Sequence, residues 1–498
     1  MGTTHVEVRT GTYHDSVTLL RISKDIAALP GIRAAQVAMG TPLNVDVLAG
    51  MGFDVPRVGP DDLVIALESE DAGDPGAGAP GDTGFDEALG AVADRLARRG
   101  SATTEDKRQP PRTVGAAIAD SDAPLALVSV PGSGAAAEAW DALERGISVM
   151  LFSDNVEVAD EIALKDAARD KGLLVLGPDC GTALIGGVGL GFANAVRPGE
   201  ISLVAASGTG AQQLMTLLDA AGIGVRHCLG VGGRDLGADV RGRGVLASVD
   251  ALSRDEGTRH TVIVSKPADA AVVDEVDAHA RRLGLPVTWA VLGPGHPDLT
   301  ETAETICRET GVEPPAWPRW NPAGESAPSR SGALLRGLYA GGTLCGETAT
   351  LASERLGSID SGAAASGPGA LRTALASGGH AVIDLGDDAL TIGRAHPMID
   401  PELRLEMFDD AVRDPRVGVV LMDVVLGYGA AADPAGDYCD AIARALADRS
   451  DLSVIVSLIG TAHDPQGFAG QAERFAAAGA HVYASNAEAA RAAVSSVA

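Results

Sequence analysis

One pattern recurs along this chain and limits what it can fold into: a short apolar run, a glycine-rich turn, then a helix-patterned stretch. Leu125 to Val130 runs into Pro131-Gly132-Ser133-Gly134 and an alanine-rich helix. Ile201 to Ala205 runs into Ser207-Gly208-Thr209-Gly210, and Ala333 to Tyr339 into Gly341-Gly342-Thr343. Val419 to Val425 leads to Leu426-Gly427-Tyr428-Gly429. Apolar runs without alternation suit strands buried on both faces, as in parallel sheets covered by helices. Aromatic residues are only 3% of the chain while hydrophobic residues are 46%, so Ala, Val, Leu and Ile must build these cores. The 63 glycines fall between the apolar runs, which places them in tight strand-to-helix turns.

Several classes of function are disfavoured at this level. A net charge of -28 is the wrong sign for a nucleic-acid binder, which must displace counterions from phosphates, and for an anionic membrane surface. The five cysteines are scattered with no CxxC pair, so neither a disulfide framework nor a zinc knuckle is expected, and no metal site is assigned. Residues 1–16 lack a secretory pattern and no apolar run is long enough to span a membrane, which makes the cytoplasm the expected location.

At 498 residues the chain needs several cores. The expected division is an N-terminal α+β domain (1–110), a Rossmann-like domain (111–199), an α/β lobe (200–312), a linker (313–331) and a second α/β lobe (332–498). In the first hundred residues strands are expected at His5 to Thr10, Ala34 to Met39 and Leu63 to Leu67, and helices at Ser16 to Leu29 and Phe85 to Arg98. Glu70 to Gly84 reads as an insertion and Gly100 to Arg112 as a boundary. The two lobes repeat the same order of units, which indicates an internal duplication whose halves could face one another around one site.

The Ser207-Gly208-Thr209-Gly210 turn, between a buried strand and a helix, can offer free N–H groups and the positive end of a helix dipole to an oxyanion. It can equally be a plain N-capped turn; its echoes at Gly342, Thr343, Gly427 and Gly429 favour anion binding. No Gly-Lys-Ser/Thr follows, so it is not a Walker loop. Arg234, beside Asp235, and Lys266 stand at strand ends, as anion grips or as structural and solvated charges. The densest polar cluster holds Asp384, Asp387, Asp388, Arg394, His396 and Asp400. There His396, with Asp235 or Asp400, could move protons near neutral pH, or cap a helix near Pro401.

Together the motifs resemble the FdrA family. They are Gly177-Pro178-Asp179-Cys180-Gly181-Thr182, Ser207-Gly208-Thr209-Gly210, Gly230-Val231-Gly232-Gly233-Arg234-Asp235, Ser265-Lys266-Pro267, Gly341-Gly342-Thr343-Leu344-Cys345, Asp384-Leu385-Gly386-Asp387-Asp388, His396-Pro397-Met398-Ile399-Asp400 and Asp423 to Gly429. The resemblance extends from Tyr13 to Ala487. It implies a fold like the succinyl-CoA synthetase α subunit, a Rossmann-like CoA-binding-type domain, with two flavodoxin-like ligase-type lobes. In that synthetase, paired helix N-termini bind a phosphohistidine; Ser207 to Thr209 match one such turn and Leu426 to Gly429 the other. The phosphohistidine motif Gly-His-Ala-Gly-Ala is absent here, and the glutamate that supports it falls at Gln213. No segment has the length of an ATP-grasp fold.

The resemblance also implies one subunit of a hetero-oligomeric carbamoyltransferase acting on oxalurate and oxamate. Phosphate would attack a carbamoyl carbon to give carbamoyl phosphate, with Ser207, Gly208, Thr209, Gly210, Gly427 and Gly429 holding phosphate. Arg234, Lys266, Arg394, Gly342 and Thr343 would hold the small carboxylate, and His396, Asp235 and Asp400 would serve catalysis. The alternatives are an acyl-CoA synthetase subunit that takes its ATP chemistry from a partner, and a non-catalytic CoA-binding scaffold. No cofactor is required beyond phosphate or carbamoyl phosphate as ligand, with CoA open.

Overall fold

The computed structural model of the chain describes residues 3–12, 14, 16–69, 83–100, 111, 113–119, 121–322, 330–362, 368–391 and 395–498. Most of the expected insertion and boundary, and Arg394 with them, lie outside the described residues. Two compact units are present: residues 1–110 with 392–395, and residues 111–391 with 396–498.

The first unit runs β1 (Thr4–Arg9), α1 (Ser16–Ala27), β2 (Ile32–Met39), α2 (Pro42–Gly50), β3 (Leu63–Ser69) and α3 (Thr83–Gly100). Its sheet is antiparallel with β3 in the centre. Side chains alternate across a strand, so Leu63, Ile65 and Leu67 pack with Leu19, Ile26, Phe85 and Val92. Val64 and Ala66 meet Leu48 and Phe53 on the opposite face. The expected elements match this order. The sequence pattern does not reveal α2, because Pro-Leu-Asn-Val-Asp-Val-Leu-Ala-Gly has no polar stripe; Thr41 starts it by accepting the Asn44 N–H (3.3 Å).

The second unit opens with α4 (Val114–Ile118), β4 (Leu125–Val128), α5 (Gly132–Glu144), β5 (Ser148–Leu151), α6 (Val158–Asp170) and β6 (Val175–Leu176). β4, β5 and β6 form a small parallel sheet. The hairpin β7 (Thr182–Ile185) and β8 (Val188–Gly191) leaves it for a larger sheet. The first lobe continues with β9 (Ile201–Ala206), α7 (Gly208–Ala220), β10 (Val225–Gly230), α8 (Arg243–Ser253), β11 (His260–Ser265), α9 (Ala270–Leu283), β12 (Val287–Val291) and α10 (Leu299–Glu309). Its strand order is β12-β11-β9-β10-β7-β8. The hairpin therefore belongs to the first lobe, and the division expected at 199 lies earlier, because Leu184 already packs into the lobe core.

The second lobe comprises β13 (Arg319–Trp320), β14 (Leu334–Tyr339), α11 (Gly342–Leu356), β15 (Ile359–Asp360), α12 (Pro368–Leu375), β16 (His380–Asp384), α13 (Asp388–Thr391) and α14 (Glu402–Arg413). It closes with β17 (Val417–Val425), α15 (Pro434–Asp448), β18 (Ser453–Ile459), α16 (Phe468–Ala477), β19 (His481–Tyr483) and α17 (Asn486–Val497). The sheet order is β13-β19-β18-β17-β14-β16-β15, parallel except for β13. β13 lies inside the expected linker. Trp317 is buried in the core and Trp320 stacks edge-on against Phe468, so this part of the segment is docked rather than free.

One hydrophobic core serves both lobes. Leu214, Met215 and Leu218 of α7 and Ile306 of α10 pack in the same cluster as Leu344 of α11 and Ala489 and Ala493 of α17. The first and last helices of each lobe thus fill the space between the two large sheets. Among the described residues no helix is long and apolar enough to cross a membrane.

Candidate functional site

The two glycine turns that the repeat places at strand ends meet in this shared layer. Ser207 has extended backbone (φ -159°, ψ 117°) and its Oγ accepts the Gly210 N–H (3.1 Å), capping α7. The same Oγ lies 2.6 Å from Thr343 Oγ1 in the first turn of α11. Thr209 packs on Gly341, where a side chain would have to displace Thr209 Cβ, 2.9 Å from the added carbon. The opposed ends approach this closely because glycine stands at 210 and 341.

The two ends are finished differently. α11 has no side-chain cap. Asp423, near the C-terminal end of the buried strand β17, accepts the Ala340 and Gly341 N–H groups (2.7 and 2.9 Å) just before the helix. Arg404 of α14 donates to Asp423 Oδ1 (2.9 Å) and to the Tyr438 hydroxyl (2.9 Å), and all three side chains are buried. The N–H groups of Gly208, Thr209, Gly342 and Thr343 donate to no other protein group among the described residues. These are the open donors that helix N-termini turn toward anions.

Charged groups converge on the α11 end from three strand ends. A methyl group on Gly342 would collide with Asp384 Oδ2 and stand 3.4 Å from Lys266 Nζ. Lys266 is exposed and has no ion pair within 4.0 Å among the described residues. Burial, and then the Asp423 and Asp387 carboxylates, raises the Asp384 carboxyl to about 7. Asp179, in left-handed backbone (φ 57°) after β6, is raised to about 6 by its crowded surroundings and then by Asp388 and Asp154, although it is open to solvent. Burial, and then Asp154 and Asp387, raises the Asp388 carboxyl as well. A carboxyl that gives up its charge near neutral pH, as Asp384 does, leaves room for an anion beside Lys266.

Not every expected site residue joins this arrangement. Ser207, Gly208, Thr209, Gly210, Gly342, Thr343 and Lys266 do. Arg234 stands at its edge, with Nη2 2.9 Å from Glu161 Oε2 and donating to the Val156 carbonyl (2.8 Å), so part of its guanidinium is committed. Asp235 is fully buried: it binds Lys165 Nζ (2.7 Å) and accepts the Gly244 and Val245 N–H groups, which makes it the anchor of α8 and not a proton carrier. Asp400 accepts the Glu402 N–H (3.0 Å) at the start of α14.

His396 is likewise not the base expected. Its Nδ1 accepts the Met398 N–H (3.2 Å), and burial, with Arg404 nearby, lowers its pKa to about 4. It is a neutral ring packed near Phe192 (5.9 Å between centroids), with no ion pair to Asp235 or Asp400 among the described residues. Gly427 and Gly429 are in left-handed backbone (φ 115° and 82°) but open no helix. The Gly427 N–H donates to Gln466 Oε1 (3.0 Å) and the Tyr428 N–H to the Ala193 carbonyl (2.8 Å), so this turn ties the second lobe to the strand-end loop after β8. The second helix end of the site is therefore Gly341 to Thr343. Cys180 and Cys345 are buried thiols with raised pKa, Cys180 to about 12, and they donate to main-chain carbonyls.

Sequence reasoning missed Arg404 and Glu347, and named Asp384 and Asp423 without giving either a role. A carboxylate inside the apolar run Val417 to Val425 is the available clue, since a charge buried there needs partners.

Residues 338–496 match the CoA-ligase family, and residues 1–111 match the AllF heavy metal-associated domain. The YahF protein of Escherichia coli is 35% identical over 511 residues, covering 95% of both chains. Subunit alpha 2 of the ADP-forming succinate–CoA ligase of Archaeoglobus fulgidus is 26% identical over 183 residues, 36% of this chain and 61% of that one. Among solved structures, the dinucleotide-forming acetyl-coenzyme A synthetase 1 of Ca. Korarchaeum cryptofilum in complex with phosphate and ADP aligns over 79% of this chain and 86% of its own, with 16% identity and a TM-score of 0.30. The heavy-metal description does not fit the donors of the first unit. Its sequence contains no cysteine, the first being Cys180, and thiolates are what soft metals favour. His5 is stacked on Phe85 (5.4 Å). Among the described residues no group of three His, Cys, Asp or Glu is placed to hold a metal ion.

Proposed function

Because the chain belongs to the family of YahF, matches the CoA-ligase family over residues 338–496 and is similar to succinate–CoA ligase α subunits, we propose that it is a subunit of an acyl-CoA synthetase-type enzyme. The paired helix ends hold the phosphate of an acyl phosphate. The carrying observation is the meeting of two helix N-termini that keep open N–H groups at the 2.6 Å Ser207–Thr343 contact, beside Lys266, which has no ion pair among the described residues. A CoA thiol attacks the acyl carbon, the carbon–oxygen bond to phosphate breaks, and the helix ends and Lys266 take the charge that develops on the leaving phosphate. The thiol proton leaves with the phosphate. The chain shows no phosphohistidine motif and no ATP-grasp-length segment, so in this reading a partner subunit carries out the ATP-dependent step. Loss of CoA thiol on mixing the chain and its partner subunit with acetyl or succinyl phosphate tests this; no loss with the complete complex would overturn it.

The same absence favours a second reading, the carbamoyltransferase that acts on oxalurate and oxamate. Phosphorolysis of a carbamoyl group needs an anion cradle and no nucleotide. Formation of carbamoyl phosphate from oxalurate and inorganic phosphate by the reconstituted complex, with no CoA turnover, would select it over the first.

A further inference from the structure

Counted from its first residue, the sixth position of α7 is Gln213 and the sixth position of α11 is Glu347. Both side chains are buried, and each crosses to the last helix of the opposite lobe. Gln213 Oε1 accepts the Asn486 N–H at the start of α17 (2.8 Å), and its Nε2 donates to the Ala484 carbonyl (3.1 Å). Glu347 Oε1 accepts the Leu299 N–H at the start of α10 (2.7 Å), while its Oε2 accepts from Asn486 Nδ2 (2.7 Å). Thr300 Oγ1 and Ser485 Oγ, 2.7 Å apart, join the two receiving helix starts to each other.

We propose that Gln213 and Glu347 are the positioning pair that sets the interval between the paired helix ends, and that Glu347, the carboxylate member, makes this interval proton-sensitive. The proposal rests on the anion site above for its functional meaning, and on the crossing bonds alone for its structural content. Each residue lies one and a half turns behind a helix end and fixes that end against the other lobe. The two differ in chemistry. An amide both donates and accepts, as Gln213 does here, and carries no charge; an ionised carboxylate only accepts and must be kept charged without water.

The charged and titratable groups around Glu347 come from three elements. Asp298 caps α10, Arg491 of α17 is engaged with Asp298 and Glu301, and the Tyr339 hydroxyl of β14 reaches Thr348 and Asn486. Burial outweighs the donors, and Asp298 adds to it, so the Glu347 carboxyl is raised from 4.5 to about 7. The folded chain therefore holds this proton more tightly than the unfolded chain. The associated stability is fully present below the unfolded value and is lost as pH rises through about 7.

The test uses the full chain and two readouts. Melting temperature is followed from pH 5.5 to 8.5; the wild type should fall with rising pH, Glu347→Gln should flatten that fall, and Gln213→Glu should steepen it. Sulfate, a dianion throughout this range, then reports on the helix ends at a fixed pH of 8. Glu347→Ala should weaken sulfate about tenfold, and Glu347→Gln should restore most of the loss. A Glu347→Gln chain that keeps the full pH dependence, or a Glu347→Ala chain that binds sulfate as the wild type does, overturns the proposal. If the wild type binds no sulfate at any pH, the anion-site reading falls, and the melting profiles alone decide the crossing pair.

Discussion

The two lobes arrive at the same helix end by different chemistry. In the first lobe the turn caps itself: Ser207 stands at the N-cap and satisfies Gly210, as its residue type alone suggests. In the second lobe the equivalent cap is Gly341, which has no side chain to give. Order there is imported from β17 and α14 through Asp423 and Arg404. The difference teaches that a repeated motif can keep its geometry while the source of that geometry moves from local sequence to tertiary structure. Both ends keep open donors, but only the second has Asp384 and Lys266 against its first helical residue.

The largest test of this contrast removes the imported support. Arg404→Met leaves Asp423 as a buried carboxylate without its cation, and should lower stability by about 3–5 kcal/mol in urea unfolding; an effect below 1 kcal/mol would mean that Asp423 does not order the second helix end. Next comes the close approach itself. A side chain at Gly210 would meet Ser207 Oγ at 2.5 Å and Thr343 Cγ2 at 3.0 Å. Gly210→Val should therefore cost about 1–3 kcal/mol and weaken sulfate, whereas Gly470→Val, at an open position on α16, should leave sulfate binding unchanged.

Asp384 sharpens the comparison electrostatically. Its carboxyl is neutral below about 7 and charged above, and a charge beside the α11 end repels an anion. Sulfate affinity measured by calorimetry should fall on the order of tenfold as pH rises through this value, the equivalent of one pKa unit of coupling. In Asp384→Asn this component of the pH dependence should vanish. The smallest effect belongs to the self-made cap: Ser207→Ala should cost about 1 kcal/mol, read as a drop in melting temperature. A larger loss would assign more of the lobe contact to the Thr343 hydrogen bond than a single exposed cap supplies.

Sequence reasoning reached the parallel sheets, the duplication and the first helix end because each is written locally, in apolar runs, glycines and a Ser at the N-cap. It placed the second end at Gly427 and Gly429 through the resemblance, which matched Leu426 to Gly429 to the second phosphate turn of the synthetase. What separates the two turns is non-local: Gln466 and Ala193, 39 and 235 residues away along the chain, take the donors of the 427 turn, while among the described residues nothing takes those of Gly342 and Thr343. His396 and Asp235 misled for a related reason. Their residue types advertise proton transfer, but Met398, Lys165 and the start of α8 claim their polar atoms. Glu347 gave no clue in sequence beyond its register with Gln213, which becomes visible only when the two helices are aligned from their first residues.

That register has a consequence for how such a site can change over time. When a site lies on the axis of a symmetric dimer, every substitution is made twice, so one side cannot gain a carboxylate while the other keeps an amide. Here both halves are carried by one polypeptide, so position 213 holds an amide while position 347 holds a carboxylate. Joining the two lobes in one chain thus permits a proton-binding group on one side of the pair only, which a dimer of identical lobes does not.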